Sequence, residues 1–311
     1  MQRPASSACA TKTFATIVLV LGALVASSAG QANIQGQWNT LATPMPINPV
    51  HVALLSNGRV LVVAGSGNCP ASQSGCPSGA PYGPSNSSGA LLVDPVSGQI
   101  ISQFSLSWDM FCNGMVVLPD GRPFINGGTL QYDPFHGELR SAVFDPATNT
   151  FTNLQSMAHG RWYPTVTTLG DGRVMTFSGL DENGNTNTSV EIYSASSGWS
   201  SPFSASWTPP LYPRMHLLPN GKVFYSGATT GSKIFDPSAH TWTNVATTNY
   251  SSTRTYGTPV LLPLTPANNY RPQVIIMGGG NPATATTETI DLGATTPAWN
   301  WGPNMSQPRI E

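Results

Sequence analysis

The stretch Tyr163–Gly179, YPTVTTLGDGRVMTFSG, decides the fold. It reads as one β-strand, the turn dipeptide Asp171-Gly172, a second strand and a closing pair of small residues. Asp-Gly or Asn-Gly between two strand-like runs supplies the positive φ that a two-residue hairpin turn demands. The same pattern recurs on both sides. Upstream stand HVALLSNGRVLVVAGSG from His51 and CNGMVVLPDGRPFINGG from Cys112. Downstream stand YPRMHLLPNGKVFYSG from Tyr212 and a looser copy, YGTPVLLPLTPANNYRPQVIIMGGG, from Tyr256. The turns Asn57-Gly58, Asp120-Gly121 and Asn220-Gly221 fall at matching places. Most copies are followed by a second hairpin with an Asp-Pro turn, at Asp94, Asp145 and Asp236. An aromatic outer strand then carries Phe151, Trp199 or Trp242.

Four short strands in a repeat of roughly fifty residues describe a propeller blade of kelch length. The sequence therefore predicts an all-β chain, a kelch-type β-propeller over residues 31–311, with about five blades visible of an expected seven. Open sheet edges invite mispairing, so a propeller is expected to close. The visible copies stop at Pro308-Arg309-Ile310-Glu311, where a sixth would begin. The expectation is a ring incomplete at its C-terminal end, or one of five blades.

Residues 1–30 carry Arg3 and Lys12, an apolar run from Phe14 to Ala26, then small residues, which is the layout of a secretory signal. The run is shorter than the roughly twenty residues that cross a bilayer. A secreted product with no membrane span is expected. Only 9% of residues are charged and the net charge is −1, so no basic face attracts nucleic acid. Strings of the form N-x-Ser/Thr begin at Asn86, Asn187, Asn249 and Asn304; each is a glycan acceptor or an ordinary polar turn. Cys69 and Cys76, inside a Pro/Gly/Ser-rich loop, read best as a small loop disulfide. Cys9 leaves with the leader, so Cys112 remains alone, and an odd thiol in an exported protein needs an explanation.

Three strings supply one. WDMFCNGMVVLPDG (108–121), GRWYPTVTTLGDGRV (160–174) and LYPRMHLLPNGKVFYSG (211–227) resemble the N-terminal propeller of the glyoxal oxidases. These are copper-radical oxidases, together with galactose oxidase. The resemblance runs from about Trp38 to the C-terminus, and F-C-x-G and R-W-Y-P-T are specific at this spacing. It implies that Cys112 is the cysteine of a Tyr–Cys thioether and that Tyr163 is its cross-linked tyrosine, also an equatorial copper ligand. Sulfur donates electron density into the phenol, which makes the ring easier to oxidise. The implied cofactor is copper with a Tyr–Cys radical. The implied reaction is oxidation of a small aldehyde or alcohol with O₂, giving H₂O₂, in a monomer. Trp108, Phe111, Arg161 and Trp162 flank the pair, and an aromatic lid over the radical is expected from one of them.

The family also uses an R-x-Y-H-S string and a later histidine as copper ligands, and this chain has no Tyr-His pair. Its histidines are His51, His136, His159, His216 and His240, each in a different setting; His51, His159 and His216 are the ones placed to line a channel. Copper sites want imidazoles converging with oxygen ligands. The expectation is an oxidase-like protein whose site is completed by sequence beyond 311. The alternatives are a non-catalytic propeller that binds glycans or wall polymers, and a family member that has lost its ligands. No G-x-S-x-G, H-E-x-x-H or phosphate-binding glycine loop points elsewhere, since Gly278–Gly280 ends a strand and leads into Asn281-Pro282.

Overall fold

Among the described residues, twenty-three short strands and one turn of 3-10 helix, Pro266–Asn268, form the regular structure. The computed structural model describes residues 49–63 and 88–310, together with Thr40, Met45 and Ile47. The expected leader at 1–30 and the Cys69–Cys76 pair lie outside the described residues.

The strands group into antiparallel sheets that follow the repeat copy by copy. The first sheet is β1 (His51–Leu54), β2 (Val60–Val63), β3 (Ser88–Val93) and β4 (Ile100–Ser105). The second runs from β5 (Gly114–Val117) to β6 (Pro123–Asn126). After an inserted two-stranded ribbon, β7 (Thr129–Gln131) and β8 (His136–Gly137), it continues with β9 (Ser141–Asp145) and β10 (Thr150–Asn153). The third holds β11 (Thr165–Thr168), β12 (Val174–Phe177), β13 (Ser189–Ser194) and β14 (Gly198–Trp199), with β15 (Phe203–Ser204) also on β13. The fourth is β16 (Met215–Leu217), β17 (Val223–Tyr225), β18 (Gly231–Asp236) and β19 (Thr241–Thr247). The fifth is β20 (Thr258–Leu261), β21 (Gln273–Met277), β22 (Thr287–Asp291) and β23 (Trp299–Trp301).

The x-Gly turns differ in one respect from the sequence reading. Leu118 N–H donates to Arg122 O at 2.9 Å and Gly121 N–H to Leu118 O at 2.9 Å, so three residues, not two, form the loop. Only the glycine has positive φ, +85° at Gly121. The preceding acid keeps an ordinary backbone, and its Oδ1 accepts the Arg122 N–H at 3.1 Å. The same loop recurs at Leu55–Arg59, Leu169–Arg173 and Leu218–Lys222. This is the type I turn closed by a left-handed glycine, which suits the twist of the strands it joins.

Alternation along the second strand of each sheet builds the core, because neighbouring side chains point to opposite faces. In β6, Ile125 packs with Leu61, Leu92 and Phe144 on the side of the first sheet. Its neighbour Phe124 packs with Val174, Tyr193 and Trp199 of the third. Met175 and Phe177 then meet Val223 and Phe235, and Phe224 meets Val274, Ile276 and Trp299. The second, third and fourth sheets are thus each buried between two neighbours, which is the blade stacking of a kelch-type β-propeller. The described residues form five blades.

Candidate active site

The first residue of each inner-strand approach sits at the same place in four consecutive blades: Cys112, Tyr163, Tyr212 and Tyr256. All four have positive φ, at 62°, 67°, 44° and 56°. Bulky side chains rarely take this conformation, and residues held in it cluster at functional sites. Here backbone bonds lace one blade to the next. Tyr163 N–H donates to Cys112 O at 3.0 Å, and Tyr212 N–H to Tyr163 O at 2.9 Å. The small residues that close the second copy explain how the strand entries come so close. A Cβ on Gly127 would lie 2.3 Å from Arg161 O, and one on Gly128 would lie 2.3 Å from Asp109 O.

The two sequence candidates meet. A side-chain hydrogen bond joins Cys112 to Tyr163. Cys112 is a free thiol, 2% exposed. Burial pushes it up to about 12; the bond to Tyr163 acts in the opposite sense, and the negative charge of Asp109 adds to the rise.

Of the four flanking residues, Trp162 is the one that covers the tyrosine. Its ring lies 3.7 Å from that of Tyr163, at an interplanar angle of 7°. Trp108 instead donates its indole N–H to Gly127 O at 3.0 Å and packs in the core between the first two blades. Phe111 stacks on Tyr132 at 6.2 Å. Arg161 is an anchor: fully buried, it donates to Glu191 Oε1 at 2.9 Å and to the carbonyls of Ser178 and Ser189. The arginine therefore fixes the strand entry that carries Trp162 and Tyr163.

Several residues of the site were not singled out from the sequence. Phe135 stacks on Trp162 at 4.2 Å, and Tyr212 stacks on Tyr163 at 4.4 Å and 23°. The order Phe135–Trp162–Tyr163–Tyr212 is a continuous pile of four rings. Below it, Tyr132 donates its hydroxyl to Asp109 Oδ2 at 2.6 Å, while Asp109 Oδ1 accepts the Phe111 N–H at 2.8 Å. Burial raises the Asp109 carboxyl to about 6 despite these two donors.

Tyr163 and Tyr212 open onto a cavity of about 620 Å³, which Arg214, His216 and Tyr256 also line. Of the three histidines expected to face a channel, His216 shares this cavity with the tyrosine. Its imidazole is lowered to about 4 by burial, and its Nε2 lies 2.9 Å from Ser226 Oγ. His159 contacts Glu182 Oε1 at 3.4 Å, and His136 contacts Glu182 O at 2.9 Å. His240 stacks on Phe203 at 4.0 Å. No group of three or more His, Cys, Asp or Glu side chains converges among the described residues. A phenol oxygen and one engaged imidazole do not make a copper donor set. The described residues therefore bring one cysteine beside one tyrosine and do not make a complete copper site.

Comparisons with known proteins bear on the family and the fold. Residues 87–300 match the family model described as the glyoxal oxidase N-terminus. A WSC domain-containing protein of Arthroderma benhamiae is 28% identical over 250 residues, 70% of this chain and 26% of its own length. The aldehyde oxidase GLOX of Vitis pseudoreticulata is 26% identical over 213 residues, 62% of this chain and 38% of its own. The putative aldehyde oxidase Art an 7 of Artemisia annua is 26% identical over 198 residues, 57% and 32%. These alignments take in about a quarter to two-fifths of the length of the curated relatives. Among solved structures, a fungal alcohol oxidase of the AA5 family in complex with copper superposes with a TM-score of 0.67. It is 17% identical, over 88% of this chain and 57% of its own. YjhT superposes with a TM-score of 0.58 at 12% identity, over 86% and 87%. Both show the propeller fold. The chain belongs to the glyoxal oxidase N-terminus family.

Proposed function

We propose that this chain carries the tyrosine–cysteine part of a copper-radical oxidase site. The protein then oxidises a small aldehyde or primary alcohol while O₂ is reduced to H₂O₂. The observation that carries this reading is the buried Cys112–Tyr163 contact beneath Trp162. An alcohol RCH₂OH and O₂ give RCHO and H₂O₂; an aldehyde, water and O₂ give the acid and H₂O₂. The Tyr163 oxygen would be this chain's own ligand to copper, and the bound metal together with the one-electron-oxidised, sulfur-substituted phenol would supply the two one-electron acceptors that the substrate's two electrons require.

This chain's own residues prepare that phenol. Thioether sulfur lowers the potential at which the ring is oxidised. Trp162 and Tyr212 cover its faces, and it borders the cavity. The leader at 1–30 and the Cys69–Cys76 disulfide belong to the same proposal: export to an oxidising compartment, with Cys112 kept apart for a different bond. An aromatic cavity also suits a glycan, which is the second reading, and peroxide release separates the two. Copper-loaded full-length protein given simple aldehydes or primary alcohols under air should release H₂O₂. Release should vanish in Tyr163→Phe and fall strongly in Cys112→Ala. Peroxide release that persists in Tyr163→Phe would overturn the proposal.

A further inference from the structure

The head of the fourth blade touches Tyr163 and the residue that follows Cys112. Tyr212 stacks on Tyr163 at 4.4 Å. Trp162 already lies nearly parallel to that ring at 3.7 Å, so the two occupy opposite faces and clamp it between them. The Tyr212 hydroxyl passes beyond the ring and donates to Asn113 O at 3.2 Å, ninety-nine residues away in sequence. Asn113 follows Cys112 directly and is fully buried. Its backbone N–H and its amide both donate to Met110 O, at 3.3 and 2.6 Å, so Cys112 sits near the apex of a tight turn. Tyr256, at the equivalent place one blade on, is 46% exposed and makes neither contact.

We propose that Tyr212 is a positioning residue for the cross-link: its ring fixes the plane of Tyr163 and its hydroxyl fixes the turn that presents the Cys112 sulfur. The inference rests on the thioether reading above. In forming the bond, the Cys112 thiol and the ring carbon ortho to the Tyr163 hydroxyl each lose one hydrogen, and a C–S bond replaces the S–H and C–H bonds. Dioxygen takes the two electrons and two protons and leaves as H₂O₂. Such a bond forms only where sulfur meets the edge of a ring held in one orientation, and an error of about 1 Å can cost a hundredfold in rate. A tyrosine free to turn about its Cβ–Cγ bond would spend little time in that orientation.

The test uses full-length protein produced without copper, so that the pair starts unlinked. Copper(II) is added under air, samples are quenched in acid, and the fraction lighter by two hydrogens is followed by mass spectrometry of the 112–163 peptide pair. Wild type should go to completion. Tyr212→Leu, which loses ring and hydroxyl, should slow linking by about tenfold or more. Tyr212→Phe, which keeps the stack and loses the Asn113 bond, should be slowed several-fold at an unchanged melting temperature. Tyr256→Leu should link at the wild-type rate. Wild-type linking rates in both Tyr212 variants would overturn the positioning role and leave the oxidase reading intact. So would equal slowing by Tyr256→Leu, which would reveal general loosening. A wild-type protein that never loses the two hydrogens would remove the site reading itself. Should Tyr212→Leu fail to fold, Tyr212→Phe decides.

Discussion

Two imidazoles show how burial acts on single residues in this protein. His51 and His216 are each lowered from 6.5 to about 4 by desolvation, and His51 Nε2 has no hydrogen-bond partner. The folded state therefore binds fewer protons than the unfolded chain between these values. The stability each contributes is complete above about pH 6.5 and is lost as pH falls through about 4. Asp109 works in the other direction: raised to about 6, it contributes stability below its ordinary 3.8 that is lost as pH rises through about 6. A wild-type pH curve mixes these effects, and a single variant separates them. His216→Gln should lose less stability than wild type between pH 7.5 and 4.5 in urea denaturation; equal losses would show that His216 is not held neutral. At this scale the sequence singled out Cys112 and Tyr163, which stand in specific strings, and the fold brings the two side chains together. The sequence did not show Asp109 or Tyr132 as a pair, since their 2.6 Å bond joins segments twenty-three residues apart, with β5, β6 and β7 between them.

Within each blade, regular features of the sequence map onto regular geometry, and the departures have identifiable causes. Period-two alternation and the x-Gly turns were legible because both act over a few residues. The third residue of the turn was not, because Asp120 and Asp171 accept the N–H two residues on, from Arg122 and Arg173, rather than serving as left-handed positions. The buried ion pairs were not legible either. Arg161 reaches Glu191, and Arg254, at the same place in the fifth blade, reaches Glu288 at 2.8 Å through the same pattern of carbonyl, hydroxyl and carboxylate acceptors. Each arginine crosses its own blade from the strand entry to the third strand, a partnership that no local pattern encodes. Removing one partner strands the other charge in the core, a loss of about 3–5 kcal/mol. Glu191→Ala should therefore lower stability by about that amount in urea unfolding, and replacing Arg161 by Met as well should restore part of it. A cost below about 1 kcal/mol, the level of an exposed pair, would mean that the pair does not anchor the entry to Tyr163.

At the scale of the molecule, the repeat made the propeller legible, since five copies of one strand–turn–strand theme lead to one architecture. The site is less legible because it is assembled between copies. Cys112 comes from the second blade, Tyr163 from the third and Tyr212 from the fourth, and the hydroxyl that joins the last to the first spans ninety-nine residues. Accessibility is hidden in the same way. The four N-x-Ser/Thr strings look alike, yet Asn187 is 6% exposed and donates to Gly160 O, whereas Asn304 is exposed. The proposed thioether requires these blades to bring Cys112 and Tyr163 together and bond them. Its most direct test is intact and peptide mass spectrometry of the protein after copper loading under air, with Cys112→Ser as the control. Wild type should give a linked 112–163 peptide pair lighter by two hydrogens, and the control should give none. A Cys112 that stays fully alkylatable after denaturation, with no such pair, would contradict it.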